Sequence, residues 1–329
     1  MFFLCSLLVC LEPLIFRSLA SILPSNQSPL GALPRRFRQS RLLIVGCGDV
    51  GQRVAQALPP RVRVLALTSS PERMPALRAL GITPMLGNLD DARSLQRLSG
   101  LATRVLHLAP PPTENEAEWW RDPRTQRLVQ TLRKRSLPTA LVYGSTSGVY
   151  GDCGGAWVDE TRTVQPHTPR AQRRVDAEKS IRFLGRAGVK ASILRIPGIY
   201  APDRENGTPE ARLRKGTPVL RPEDDVYTNH IHANDLARAC VAALWRGKPQ
   251  RIYNVNDNTQ LKMGDYFDMA ADVYGLPRPP RVARDTAKDQ LPLMLLSFMS
   301  ESRRLDNTRM QRELKLQLWY PTVQEGLQG

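Results

Sequence analysis

Residues 41–58 read RLLIVGCGDVGQRVAQAL, and their reading decides the fold. RLLIVG (41–46) is a short apolar run with strand character, and DVGQRVAQAL (49–58) spaces its apolar residues as a helix does. Between them, Gly46, Gly48 and Gly51 form G-x-G-x-x-G. A strand before this pattern and a helix after it give a weak motif its meaning. The glycines permit a tight turn and close approach of a pyrophosphate to the backbone. Asp49 and Val50 open the helix, whose N-terminus offers unpaired N–H groups and partial positive charge. The stretch predicts a dinucleotide site. The plainer alternative is a glycine-rich turn without a ligand.

The same alternation continues outward. RVRVLALT (61–68), ITPMLG (82–87), RVLHLA (104–109), TALVYGS (139–145) and KASILRI (190–196) are predicted strands. Helices are predicted at 71–81, 90–100, 124–136 and 168–188. Nearly continuous apolar strands alternating with helices mean a parallel sheet covered on both faces. The expected class is α/β, a Rossmann-type doubly wound parallel sheet with a small C-terminal substrate lobe. After Gly198 the pattern is irregular, with helices at 235–246 and near 263–275 and a strand RIYNV (251–255). The expected division is a cofactor-binding core at 41–200, with 230–256 returning to the sheet, and a lobe from 201–229 and 257–329.

Residues 1–40 are expected to be a disordered or loosely attached extension. Their apolar opening, MFFLCSLLVCLEPLIF, is shorter than the ~20 residues that span a bilayer, and Glu12 and Pro13 interrupt it. Stable membrane insertion is not expected. Five cysteines without a C-x-x-C argue against a disulfide framework or structural zinc, which suits a cytoplasmic protein. The net charge is +16, yet only 8 of the 47 basic residues are lysine and no basic run alternates with aromatics. Nucleic acid is therefore the weakest of the partners considered, and a basic, arginine-rich surface is the plain alternative.

The tip of the second strand bears on cofactor choice. Thr68, Ser69, Ser70, Pro71, Glu72 and Arg73 follow one another there, with no carboxylate at the strand end. Hydroxyls and Arg73 suit a 2′-phosphate, so NADP is expected, while Glu72 keeps NAD open.

Three further motifs follow the glycine turn in order: STSGVYGD (145–152), LRIPGIYAP (194–202) and IHANDLA (231–237). Together they resemble the extended short-chain dehydrogenase/reductase superfamily, in its nucleoside-diphosphate-sugar epimerase and dehydratase branch. The resemblance covers residues 41–320. It implies an NAD(P)-binding Rossmann core with a small lobe over the substrate. It places adenine near Asn88 and Leu89, and cofactor ribose and phosphates near Leu108, Ala109 and Pro110. Pro197 follows the sixth strand on the cofactor side. The family's substrate-polarising hydroxyl corresponds to Thr146, four residues before Tyr150. Ser147 and Gly148 stand where dehydratases carry an acidic pair, so dehydration is not expected. Val45 departs from the first glycine of the family's usual G-x-x-G-x-x-G.

The larger departure lies in TPRAQRRVDAEK (168–179). The family places Tyr-x-x-x-Lys here, followed by an Ala-Glu pair. Anchored on Ala177-Glu178, the tyrosine position holds Arg170 and the lysine position Arg174. A guanidinium cannot accept a proton near neutral pH. The chain thus resembles the atypical members that lack the pair. Arg170 and Arg174 are expected to hold an anion, with a solvated arginine face as the alternative; Arg174 is also placed to pair with Glu178 at i+4. Thr168 is the expected N-cap and Pro169 the first helical residue.

A proton carrier other than residue 170 is then required, and Tyr150 and Tyr200 are the candidates. Tyr200 and His232 are expected at the substrate cleft. His230 and His232 form H-x-H, but nothing completes a metal site and none is expected. Trp119-Trp120 suits local packing more than ligand capping, and SFMSESRRL (297–305) is placed to bring arginines to the cleft. The leading expectation is an NADP(H)-binding oxidoreductase or epimerase-like enzyme. Its substrate is a hydroxylated small molecule, with a nucleotide sugar among the candidates. The alternative is a non-catalytic NADP(H)-binding sensor or scaffold. A homodimer is left open.

Overall fold

Residues 39–113 and 118–329 are described by the computed structural model, and a seven-stranded sheet organises them. Its strands are β1 (Arg41–Val45), β2 (Arg63–Thr68), β3 (Thr83–Leu86), β4 (Arg104–His107), β5 (Ala140–Thr146), β7 (Lys190–Ile196) and β11 (Arg251–Asn254). Three two-stranded pieces pair β6 (Trp157–Val158) with β13 (Arg304–Leu305), β8 (Gly198–Tyr200) with β10 (His230–His232), and β9 (Val219–Leu220) with β12 (Arg281–Val282). The large sheet has the order β11-β7-β5-β4-β1-β2-β3, and every pairing in it is parallel. The chain runs outward from β1 to β3, then returns past β1 to β4. That reversal opens a crevice at the carboxyl ends of β1 and β4.

Alternation within each strand builds two apolar layers. Leu42 and Ile44 of β1 join Leu106, Val142 and Leu194 on one face, and Leu43 and Val45 join Val105, Leu141 and Tyr143 on the other. Helices α1 (Asp49–Gln56), α2 (Met74–Ala79), α3 (Pro123–Leu132), α4 (Pro169–Gly185), α5 (Glu210–Arg214) and α6 (Ala233–Arg246) follow in the chain. Leu236 and Cys240 of α6 cover the first layer, and Leu128 of α3 and Ile181 of α4 the second. The C-terminal part adds α7 (Met263–Tyr274), α8 (Arg284–Gln290), α9 (Leu293–Phe298), α10 (Thr308–Leu314) and α11 (Val323–Gln328).

The lobe has its own apolar cluster, in which Leu213, Val219, Phe267, Met299 and Val323 meet. Its expected boundary at 257 is crossed back, because Met310, Leu314 and Leu316 pack into the sheet layer. Residues 40–329 form one compact unit. The extension expected at 1–40 lies outside the described residues apart from its last two. No described helix is long and apolar enough to cross a membrane.

One expected helix is absent. Residues 90–100 form turns and a short 3-10 stretch, Gln96–Leu98. The Asn88 side chain accepts from Asp90 N–H at 2.9 Å, Asp91 accepts from Arg93 N–H at 2.9 Å, and the Ser94 hydroxyl donates to the Asp91 carbonyl at 2.8 Å. Such local bonds compete with the helical ladder. Helix α4 starts as expected: Thr168 Oγ1 accepts from Ala171 N–H at 3.2 Å, with Pro169 first in the helix.

Glu178 does not pair with Arg174. It faces the sheet, accepting from Ser145 Oγ at 2.7 Å and from Arg195 Nη2 at 2.8 Å. Both charged side chains are buried, at 3% and 5% exposure. Removing one partner leaves the other charge in the core, at a cost of about 3–5 kcal/mol. Glu178→Ala is therefore expected to lose that much stability in denaturant unfolding, and a loss under about 1 kcal/mol would show the pair to be hydrated.

His107 is buried on β4, where Thr125 donates to Asp122 at 2.7 Å and so accepts from His107 Nε2–H at 2.9 Å. Burial, then the Arg174 charge, lowers its pKa to about 3. The folded chain therefore resists protonation that the unfolded chain accepts below its ordinary value. Stability from this group is full above pH ~6.5 and falls as pH drops, by up to about 1.4 kcal/mol per pH unit. Asp257, pushed up to about 7 by burial, acts with opposite sign in the same window. The decisive measurement is therefore a difference between proteins. His107→Gln should make the stability–pH slope between pH 6.5 and 4.5 less positive by about 1.4 kcal/mol per unit, and equal slopes would mean that His107 is charged in the fold.

Candidate functional site

The glycine turn is built by close approach. Gly46 has φ +88°, and a Cβ on it would lie 2.3 Å from the Ala109 nitrogen. The amides of Leu108 and Ala109 both donate to the Val45 carbonyl, at 2.7 and 3.0 Å. Gly51 packs α1 on β1, where a Cβ would be 3.2 Å from Ile44 Cγ2. Gly48 differs: nothing lies within 4 Å of its missing Cβ, and it lines the cleft. No side chain caps α1. The first-turn amides of Asp49, Val50 and Gly51 lack intrahelical partners, so this N-terminus can receive an anion. An open cradle beside an uncapped helix start fits a dinucleotide's pyrophosphate.

Arg73 Nη2 donates to the Cys47 carbonyl at 2.7 Å, laying its guanidinium against the glycine turn. Thr68 is buried at the tip of β2, with Oγ1 accepting from Ser70 N–H at 3.2 Å, and Ser69 beside it is exposed. Asn88 is exposed but uses its side chain to hold a turn, and Leu89 is a core residue. Leu108 and Pro197 line the cleft, Ala109 is packed on Gly46, and Pro110 is exposed.

A cleft of about 800 Å³ continues from the glycine turn between the carboxyl ends of the strands and the lobe. Thr146, the last residue of β5, lines it and accepts from Gly148 N–H at 3.2 Å, leaving its own proton to donate. The three arginines at the head of α4 have three different places. Arg173 turns away and donates to the Trp119 carbonyl at 3.0 Å, holding the loop that carries the exposed Trp119 and Trp120. Arg174 lines the cleft but is tied to β5, donating to the Gly144 carbonyl at 2.6 Å and to the Tyr143 hydroxyl at 3.1 Å. Arg170 lines the cleft with its guanidinium 5.0 Å over the Phe298 ring. It makes no hydrogen bond or ion pair with any described residue. The cleft walls, then the Arg174 charge, lower its pKa.

Arg212 of the lobe lines the same cleft, 4.3 Å over the Phe267 ring. Its Nε and Nη2 are buried without a hydrogen-bond partner, and burial lowers its pKa. Arg303 donates to the Gly151 carbonyl at 2.7 Å and to Glu301 Oε2 at 2.8 Å, while Glu301 Oε1 is buried without a partner. The 297–305 segment does reach the cleft. Arg204, Arg212 and Glu301 were missed in the sequence, because Pro- and Arg-rich irregular stretches carry no periodicity that shows which side chain turns inward.

Tyr150 is corrected. It closes a 3-10 turn that carries it beneath the strands, where its hydroxyl donates to Asn254 Oδ1 at 2.7 Å and its ring lies 4.6 Å from the Arg195 guanidinium. Burial pushes its pKa up to about 12. It is buried and does not line the cleft. The ring of Tyr200 borders the cleft, but its hydroxyl donates to the Thr322 carbonyl at 3.2 Å. A Cβ on Gly326 would lie 2.3 Å from that oxygen, so the hydroxyl is enclosed. His232 is corrected as well: its Nδ1 caps α6 by accepting from Asn234 N–H at 3.2 Å, and its ring lies 3.8 Å from that of Tyr320. His230 borders the cleft instead, stacked 4.3 Å from Tyr266.

Comparison with known proteins agrees with this geometry. A structure of a functionally unknown conserved protein from Silicibacter pomeroyi is 30% identical, with a TM-score of 0.68 over 88% of this chain and 97% of that one. UDP-glucose 4-epimerase from Thermotoga maritima, solved with UDP-glucose, is 18% identical with a TM-score of 0.70, covering 88% of this chain and 96% of that one. UDP-glucuronic acid 4-epimerase from Bacillus cereus, solved with NAD, is 19% identical with a TM-score of 0.67 over the same shares. The last two likenesses show the fold alone. A curated relative from Methanocaldococcus jannaschii, named as a candidate UDP-glucose 4-epimerase, is 22% identical over 49% of this chain, and the match spans 57% of that relative's length. The NAD dependent epimerase/dehydratase family description matches residues 42–256, and the chain belongs to that family.

Proposed function

We propose that the protein binds NADP(H) and acts as an oxidoreductase or epimerase-like enzyme on a hydroxylated substrate bearing an anionic, nucleotide-type group. One observation carries this reading: Arg170 and Arg212, both without partners among the described residues, line the same cleft as the glycine turn. Two guanidinium nitrogens of Arg212 are buried without a hydrogen bond, a cost that a bound phosphate offsets, and the exposed Arg170 has its donors free to reach the same anion.

The bound cofactor would exchange a hydride with a substrate carbinol carbon. The first turn of α1 would hold its pyrophosphate, and Arg73 with Ser69 would take the 2′-phosphate. Thr146 donates to the reacting oxygen. Arg170 and Arg212 hold the anionic part of the substrate. The hydroxyl proton cannot go to an arginine. Asp49 and Glu301 are the carboxylates of the cleft, and each is held by an arginine through one oxygen while the other accepts no hydrogen bond. Asp49 opens α1 at the pyrophosphate end, whereas the charge of Glu301 acts on Arg170, so Glu301 Oε1 is the acceptor. A second reading, a non-catalytic NADP(H) sensor or scaffold, is favoured by the commitment of Tyr150 and Tyr200 to internal bonds. Cofactor fluorescence with a panel of sugar nucleotides separates the two, since a sensor binds and never turns over.

Calorimetry should find NADPH tighter than NADH, and Arg73→Ala should erase most of the gap; equal affinities in the unmodified protein would overturn the NADP assignment. With UDP-glucose as the probe, Arg170→Ala and Arg212→Ala should each weaken binding by about 1.5–3 kcal/mol, roughly 10- to 150-fold. Unchanged UDP-glucose affinity in both variants would make these arginines solvated wall residues.

A further inference from the structure

The segment from Ala201 to Pro209 folds tightly on itself beside α1. Ala201 N–H donates to the Gly207 carbonyl at 3.2 Å, and Gly207 N–H to the Arg204 carbonyl at 2.9 Å. A Cβ on Gly207 would lie 2.4 Å from the Ala201 carbonyl oxygen. Two ion pairs tie the segment to the phosphate helix, and they are unequal. Asp203 accepts from Arg53 Nη2 at 2.8 Å, and Arg53 is further fixed by Asn234 at 2.6 Å. The Arg204–Asp49 pair is looser, at 3.4 Å from Nε to Oδ2, and that buried carboxylate oxygen accepts no hydrogen bond.

Asp49 is the first residue of α1 and follows Gly48, whose open side faces the cleft. Gly48, Asp49 and Arg204 line the same cleft. A carboxylate at this point suits the helix dipole, but it repels a pyrophosphate seated on the same amides. Arg53 cannot offset this alone, because it is shared with Asp203 and Asn234. Arg204 lines the cleft beside Asp49 and is held by its own bond to the Ile199 carbonyl at 2.9 Å.

We propose that Arg204 is a cofactor-binding residue: it neutralises Asp49 and donates to the pyrophosphate, so that the 201–209 segment forms the outer wall of the dinucleotide site. The inference rests on the cofactor reading above. It adds a residue from beyond the sheet that the glycine motif does not include.

The test is calorimetric titration of the full chain with NADPH, beside thermal unfolding of the free protein. Arg204→Gln should weaken NADPH about tenfold, the loss of one charge-assisted contact. Asp49→Asn, which removes the repulsion and releases Arg204, should tighten it about threefold. The pair of variants guards against a folding defect in either one. The proposal is overturned if Arg204→Gln binds within twofold of the unmodified protein, whatever its melting temperature, or if Asp49→Asn weakens binding. If the unmodified protein binds neither NADPH nor NADH, the cofactor reading itself has failed, and this inference falls with it.

Discussion

A Cβ on Gly46 would sit 2.3 Å from a backbone nitrogen at Ala109, and much of the molecule follows from that missing atom. Its absence lets the end of β1 turn while the continuation of β4 stays bonded to Val45. The crevice at the reversal of strand order thus has a narrow floor, with Gly48 open above it and α1 aimed at it. Any side chain at residue 46 would push the β4 continuation away and misplace Leu108, which lines the cleft. Backbone proximity sets the cofactor end, and no side chain is needed to make it.

The substrate end is governed by charge. Where the sequence resemblance leads to an expected tyrosine and lysine, this chain carries two arginines with unlike environments. Arg174 satisfies itself on β5, so its charge is spent on structure. Arg170 is exposed over the Phe298 ring with the Glu301 charge acting on it, and Arg212 lies over the Phe267 ring. For Arg212, whose Nε and Nη2 are buried, a cation–π contact of about 0.5–2 kcal/mol is less than the cost of an unpaired buried guanidinium. An anion bound there would offset that cost.

Legibility in the sequence followed the strength of local patterns. The strands β1 to β5 and β7 and helices α1, α4, α6 and α7 were readable because their apolar period is long and their ends are marked by Gly, Thr or Pro. The stretch 90–100 had helical spacing, but Asn88, Asp91 and Ser94 took its amides and carbonyls for turns. Thr146 and Arg170 were found by position relative to a motif, and they do line the cleft. Tyr150 was expected there by the same reasoning. It failed because the 3-10 turn sends its hydroxyl to Asn254, more than a hundred residues away. His232 became a helix cap in the same way. Arg204, Arg212 and Glu301 depended on how irregular segments fold back, and no spacing rule reports that.

The arginine excess also finds a physical account. Guanidiniums fasten loops by donating to backbone carbonyls: Arg104 to Leu244, Arg246 to Leu314, Arg284 to Met299 and Arg304 to Gly155. Others lie over exposed rings, as Arg238 does over Trp319 and Arg133 over Phe183. A lysine offers a compact charge, whereas a planar guanidinium can donate at its edge while its face rests on a ring. Arg104 does both, bonding Leu244 while it covers Trp245. Of the three arginines at the head of α4, two are fasteners of this kind. Among the arginines of the cleft, Arg170 and Arg212 stand apart in making no hydrogen bond or ion pair with a described residue.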